Sequence, residues 1–187
     1  MPHIAILSSS VRTGRSSHRV ALFFKDFIEA KNLATSEIVD LNAYQFPLFE
    51  ERLQYQKSPT EQVLEFASRI KNADGVIIVT PEYNGGYPAS LKNAVDLLYK
   101  EWQKKPVAIS TVSDGAFGGT QVLISLQFSL WKIKAWTVPA MFPVPNVNET
   151  LNELGKPVDT VAFEKKAGSF VKELLWCIEA KSKMDLI

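Results

Sequence analysis

Short apolar runs alternate with helical patterns along the whole of this chain, and that alternation constrains its fold more than any other feature. Ile4 to Leu7, Glu37 to Leu41, Val76 to Val79, Val107 to Val112 and a short run near Ala135 to Val138 read as strands. Between and after them lie helical stretches over Arg19 to Lys31, up to about Asn72, Pro88 to Trp102, Gly118 to Trp131, and about Asp159 to Lys181. Strand followed by helix, repeated, is the mark of βα units and a parallel sheet, where hairpins would bring strands in direct succession. Val76-Ile77-Ile78-Val79 is β-branched and free of charge, which suits a strand covered on both faces. Open sheets of this kind bind ligands beyond the carboxyl ends of their strands, so the strand-to-helix loops are where chemistry is expected.

Local signals refine the pattern. Ser58-Pro59-Thr60-Glu61 predicts a helix start, with Ser58 as cap, proline at the first position and glutamate three residues after the cap. Leu91, Val95, Leu98 and Trp102 recur at helical spacing and are expected to face the core. The proline- and asparagine-rich stretch Pro139 to Pro157 is long for a connection inside a compact domain and reads as a lid or an arm. The helix over Gly118 to Trp131 carries Val122, Leu123, Ile124, Leu126, Phe128, Leu130 and Trp131, more apolar surface than one core contact uses. A symmetric dimer interface, with Tyr99 and Trp102 beside it, would bury the excess.

Composition excludes several classes. A chain of 187 residues with 46% hydrophobic content is expected to form a single domain, 1–187, around one ordinary core. Its net charge is +1 and no basic stripe stands out, so nucleic acid is not an expected partner. No apolar run is long enough to span a bilayer, and Ile4 to Leu7 is too short for a secretory signal. The one cysteine, Cys177, sits in a helical apolar pattern and reads as a buried small hydrophobe. A cytoplasmic protein without a membrane segment is expected. With only His3 and His18 and no Cys/His cluster, no metal site is indicated.

Three loops combine the parts of one site. Ser8 to His18 holds five serines, a threonine and the arginines Arg12 and Arg15 just before a helix. Hydroxyls, free amides and the positive end of a helix suit a phosphate dianion, and either arginine can clamp it; a polar turn capped by Ser16 or Ser17 is the plainer alternative. The loop has neither the nucleoside triphosphate P-loop pattern nor the dinucleotide Gly-x-Gly-x-x-Gly, so a monophosphate fits better. A receiver domain would need acidic residues where Ser8 to Ser10 and Thr80 stand. The second loop, Thr80 to Pro88, offers the flat faces of Tyr83 and Tyr87, the donor and acceptor of Asn84, and the freedom of Gly85 and Gly86. A planar heteroaromatic ring suits these parts. The third, Ser113 to Gly119, is small and glycine-rich, so its backbone amides can reach the polar edge of a ring.

Taken together, Ser10-x-Arg12-x-Gly14-Arg15-Ser16, then Pro81-Glu82-Tyr83-Asn84 followed by Pro88 and Leu91-Lys92-Asn93-Ala94-Val95-Asp96, and Ser113-x-Gly115-x-x-Gly118-Gly119 resemble the NADPH-dependent FMN reductase family, which includes quinone, azo and chromate reductases. Phe46-Pro47-Leu48-Phe49-Glu50 and Leu154-Gly155-Lys156-Pro157 resemble it too, so the likeness covers nearly the whole chain. The resemblance implies a flavodoxin-like α/β three-layer sandwich: a five-stranded parallel sheet in order 2-1-3-4-5, helices on both faces, and FMN bound non-covalently at the switch between the first and third strands. It implies a homodimer or a dimer of dimers. Carried over by position, Ser10, Arg12, Arg15 and Ser17 would hold the phosphate; Pro81, Glu82, Tyr83 and Asn84 would line the isoalloxazine; Ser113 and Gly115 would border the ring. Tyr83, Tyr87 and Phe117 are candidate walls of a substrate cleft. Ser9-Ser10 stands where many members have Gly-Ser, and His18 where many have Asn; His18 reads as an exposed helix-start residue. The implied activity is ping-pong hydride transfer from NADPH or NADH through FMN to a quinone, azo, flavin or similar acceptor, with no obligatory acid, base or nucleophile from the protein. A flavodoxin-like electron carrier, or a redox-responsive binding module without turnover, would share the fold.

Overall fold

The computed structural model describes residues 1–186. In chain order the elements are β1 (His3–Ser8), α1 (Ser17–Ala30), β2 (Thr35–Asp40), α2 (Glu61–Asn72), β3 (Gly75–Pro81), α3 (Ala89–Leu97), β4 (Pro106–Val112), α4 (Val122–Lys132), β5 (Trp136–Val144), α5 (Val147–Thr150) and α6 (Thr160–Met184). The sheet order is β2-β1-β3-β4-β5, and every neighbouring pair is parallel. This is the expected flavodoxin-like α/β arrangement.

Period-two alternation along the central strands splits the core into two layers. Ala5, Leu7, Val76, Ile78, Val107 and Ile109 pack with α2, α3 and α4 on one face. Ile4, Ile6, Ile77, Val79, Ala108 and Val112 pack with α1 and α6 on the other. Both faces are covered by helices, which is why these strands read as unbroken apolar runs. On the second face, Phe24 contacts Phe142 at 5.0 Å, Phe23 at 5.5 Å and Phe170 at 5.4 Å between ring centroids, binding α1, β5 and α6 into one aromatic cluster. No helix among the described residues is long and apolar enough to cross a membrane.

Several boundaries differ from those expected. The cap of α2 is Thr60, whose hydroxyl accepts the Val63 amide at 3.3 Å, so Ser58 lies outside the helix. Helix α3 ends at Leu97, with extended backbone at Leu98. Trp102 lies beyond it in a turn, fully buried in the core, and so is no interface residue. Strand β5 runs on through Pro139 and Pro143 to Val144. It is an edge strand, where a missing N–H costs least, and Pro139 falls within a register shift, between Thr137 opposite Val107 and Met141 opposite Ile109.

The segment expected to be a lid or an arm is therefore partly strand and partly an anchored connection. After α5, Leu151 bridges to Pro157, and the loop between them is fastened to α1. Arg19 Nη1 donates to the Leu151 carbonyl at 3.0 Å, and Lys156 pairs with Asp26 at 2.6 Å. Gly155 has φ +75°, and a Cβ there would sit 2.5 Å from the Arg19 carbonyl oxygen. Only glycine allows that approach.

At the opposite edge of the sheet, Lys105 is only 7% exposed. Its Nζ donates to the carbonyls of Lys71, at 3.0 Å, and Ala73, closing the C-terminal end of α2. Burial, with Lys181 nearby and only partly offset by Asp74 and Asp185, lowers the ammonium from its ordinary 10.5 to about 8. The folded state therefore holds this proton less tightly than the unfolded chain. The cost is complete below about pH 8 and is relieved as the pH rises towards 10.5. The wild type should accordingly gain stability relative to Lys105→Met across that window, measured as the difference in urea midpoint at each pH. A gap that does not change with pH would refute this.

Candidate functional site

Parallel strands send every βα loop to the same edge, and there the loops after β1, β3 and β4 surround a cleft of about 360 Å³. Its lining comprises Arg12 to Ser17, Pro81 to Tyr83, Val112 to Asp114, and Val147 and Asn148 of α5. Seven of the ten residues singled out from the sequence line it directly: Arg12, Arg15, Ser17, Pro81, Glu82, Tyr83 and Ser113. Ser10, Asn84 and Gly115 shape the same three loops from outside the lining.

The first loop leaves polar groups free at a helix N-terminus. The α1 N-cap, Ser16, makes no side-chain cap hydrogen bond, and the first turn has no acidic residue, so the positive helix end is left for another ligand. Ser17, the first residue of α1, has a buried hydroxyl without a partner, as has Ser9 at the start of the loop. A buried hydroxyl left unpaired costs about 1–3 kcal/mol, and of the two serines only Ser17 belongs to the cleft lining, where a ligand could pair with it. Phosphate oxygens fit that requirement.

The second loop is held by its own backbone. Tyr83 and Gly86 exchange reciprocal N–H to carbonyl bonds at 2.8 and 3.0 Å around Asn84 (φ 53°) and Gly85 (φ +78°), a tight turn with two left-handed residues. Gly86 itself has no positive φ. The Tyr83 hydroxyl bonds Ser10 Oγ at 2.7 Å, joining the first two loops, and Arg12 lies 6.0 Å from the Tyr83 ring centroid. Glu82 accepts the Gln121 amide at 3.1 Å and so ties the second loop to the start of α4. In the third loop the Ser113 hydroxyl donates to the Gly115 carbonyl at 2.9 Å. Tyr87 instead packs against the core and bonds Ser129 at 2.8 Å, while Phe117 is exposed outside the lining.

Two contributors carry no signal in the sequence. Asn148 accepts from the Ser16 hydroxyl at 2.7 Å and donates to Asp114 at 2.8 Å, bridging the first and third loops across the cleft. Asp40, at the end of β2, pairs with Arg15 through both carboxylate oxygens. Nothing in their sequence neighbourhoods marks them, because each meets its partner only through the sheet order. A larger groove of about 580 Å³ lies between α1 and α6, floored by Phe27, Leu33 and Leu175. No unpartnered buried hydroxyl belongs to its lining, which sets it apart from the loop cleft.

His18 is half-buried behind the first loop. It does not line the cleft, and its Nδ1 bonds the Ser8 hydroxyl at 2.9 Å and lies 3.9 Å from Asp40. Among the described residues no group of His, Cys, Asp and Glu is arranged to hold a metal ion.

Residues 2–149 match the family described as NADPH-dependent FMN reductase. The chain is 37% identical over 144 residues to the NAD(P)H-dependent FMN reductase LOT6 of Saccharomyces cerevisiae, covering 70% of this chain and 74% of that one. It is 29% identical over 177 residues to the NADPH azoreductase of Bacillus sp. strain OY1-2, covering 91% and 95%. Among solved structures, the flavoenzyme NAD(P)H:(acceptor) oxidoreductase FerB of Paracoccus denitrificans superposes with a TM-score of 0.75 at 24% identity, over 96% of this chain and 98% of that one, a likeness of fold.

The surroundings of His18 give a spectroscopic test of the loop. Burial lowers its pKa below 6.5, and Arg15 lowers it further against the opposing pull of Asp40. The ring should be neutral at pH 7, and its carbon-bound proton resonances in NMR should titrate with a midpoint below 6.5. A midpoint above that value would contradict this placement of the ring.

Proposed function

Since the chain belongs to the NADPH-dependent FMN reductase family, we propose that the cleft between its three loops is the flavin site and that the enzyme reduces quinone, azo, flavin or similar acceptors with NAD(P)H. The observation that carries this reading is the buried, unpartnered hydroxyl of Ser17 at a helix N-terminus without a side-chain cap, on a residue that lines the same cleft as Tyr83.

In this reading Ser10, Arg12, Arg15 and Ser17 serve the phosphate end. The Ser17 hydroxyl and the first amides of α1 donate to phosphate oxygens, and Arg12 adds an exposed positive charge. Pro81, Glu82, Tyr83 and Asn84 line the isoalloxazine, with the turn at Asn84 and Gly85 setting how closely backbone approaches the ring. Ser113 and Gly115 border the ring's polar edge. When bound, FMN would supply the redox chemistry, two-electron transfer from NAD(P)H to the acceptor. The protein's part would be to hold and orient the ring between these loops. No side chain here need transfer a proton.

Residues 1–187 are taken as one flavin-binding domain; α6, beyond the family match, packs on the same sheet as α1, which supports this. A cytoplasmic setting accords with Cys177 being buried and free. A homodimer through α4 is supported by its outward stripe of Ile124, Phe128 and Trp131, all exposed and spaced along one helix face.

The purified protein should show flavin absorption bands that bleach anaerobically on adding NADPH, and Ser17→Ala should weaken FMN binding by roughly ten- to a hundredfold, the loss of one hydrogen bond to a charged group. Protein that carries FMN yet oxidises no NAD(P)H with quinone, azo dye or free flavin would overturn the reductase reading. In sedimentation the wild type should run as a dimer or larger, and Phe128→Glu as a smaller species at the same concentration. A wild type that is monomeric at every accessible concentration would remove the dimer.

A further inference from the structure

Arg15 is singled out by the sequence as a phosphate clamp, yet the structure commits its guanidinium elsewhere. Nη1 and Nη2 engage the two carboxylate oxygens of Asp40 in a fork, the second at 2.5 Å. Nη1 also donates to the Ser10 carbonyl at 2.8 Å. The pair is mostly shielded, with 16% of the Arg15 side chain and 24% of the Asp40 side chain exposed. Asp40 is itself fixed at the last position of β2, and its carboxylate accepts the Asn42 amide at 3.0 Å. A continuous path therefore runs from the end of β2 through Asp40 and Arg15 to the backbone of the phosphate loop.

Ser10 is the junction of that path with the rest of the site. Its carbonyl is held by Arg15, while its hydroxyl bonds Tyr83 and accepts the Arg12 amide at 3.3 Å. Electrostatics favour the same division of labour. Asp40 neutralises the charge of Arg15, so the full positive charge left facing the cleft from this loop is that of Arg12. Burial alone would raise the Asp40 carboxyl, but the bonds from Arg15 and the Asn42 amide hold it below its ordinary range. A planar fork already matched to one carboxylate has its orientation set by that partner.

We infer that Asp40 is a positioning residue for the phosphate site: at the edge of the cleft it engages the Arg15 guanidinium and uses it to hold the Ser10 to Ser17 loop in its anion-receiving shape. The inference rests on the flavin reading and deepens it. Phosphate is then gripped by hydroxyls, helix amides and Arg12, and Arg15 acts on it only through the loop.

The test is titration of the flavin-stripped protein with FMN and with riboflavin, which lacks the phosphate, followed by quenching of flavin fluorescence. Asp40→Asn should raise the FMN dissociation constant by about tenfold, as expected for losing one strong hydrogen-bonded contact, while leaving riboflavin unchanged. The preference for FMN over riboflavin should fall by the same factor, a change that a general loss of stability would not produce, and Asp40→Glu should restore part of it. Arg15→Gln should cost about as much as Asp40→Asn, and the double variant no more than either alone, because the two act as one unit. If Asp40→Asn leaves FMN affinity unchanged or tightens it, Arg15 is a direct clamp and the inference fails. It fails equally if the double variant binds FMN much more weakly than Asp40→Asn, since Arg15 would then grip the phosphate on its own account. A wild type that binds neither flavin overturns the functional reading itself, whereas FMN binding that is insensitive to Asp40 overturns only this inference.

Discussion

The site depends on β1 and β3 lying side by side in parallel, with β2 displaced to the far side of β1. In register, Ile4 to Ser8 of β1 pair with Gly75 to Val79 of β3 and, on the other side, His3 to Ser8 pair with Thr35 to Asp40 of β2. The chain therefore leaves β1 in one direction and β3 in the other, and a crevice opens between the two departing loops. Burying such a sheet demands helices on both faces, and the two apolar layers meet that demand. Loop chemistry is free to be polar only because the strands beneath it carry none of the solubility burden.

Within that frame the polar parts of the site are joined in series. Asp40 holds Arg15, Arg15 holds the Ser10 carbonyl, and the Ser10 hydroxyl meets Tyr83. Glu82 continues the chain to the amide of Gln121 at the start of α4. Four elements far apart in sequence thus share one hydrogen-bonded line along the sheet edge. A line of this kind lends rigidity because each member is fixed by its neighbour before any ligand arrives.

The sequence announced most of this wherever the signal was local. Strand cores show as charge-free β-branched runs, and loop chemistry shows as clustered serines, arginines and glycines. What stayed hidden was set by contacts between distant segments. Prolines at 139 and 143 argue against a strand until β5 is known to be an edge, where their missing amides are tolerated. Trp102 continues the helical spacing of α3 and is buried as expected, but the helix has already ended at Leu97 and a turn carries it inward. Arg15 looks like a ligand for phosphate because arginines beside serines before a helix usually suit one. Its pairing with Asp40 depends on β2 lying next to β1, which no neighbouring residue records. Asn148 reached the cleft for the same reason, carried there by the anchored connection after β5.

The connection after β5 does more than carry Asn148 to the cleft. Gly155, Arg19 and Lys156 fasten it to α1, the helix whose first turn is the proposed phosphate cradle. The two walls that Ser16 and Asn148 present to each other are thus tied to the same helix. The width of the crevice is then inherited from the scaffold beneath the loops and not from the loop tips.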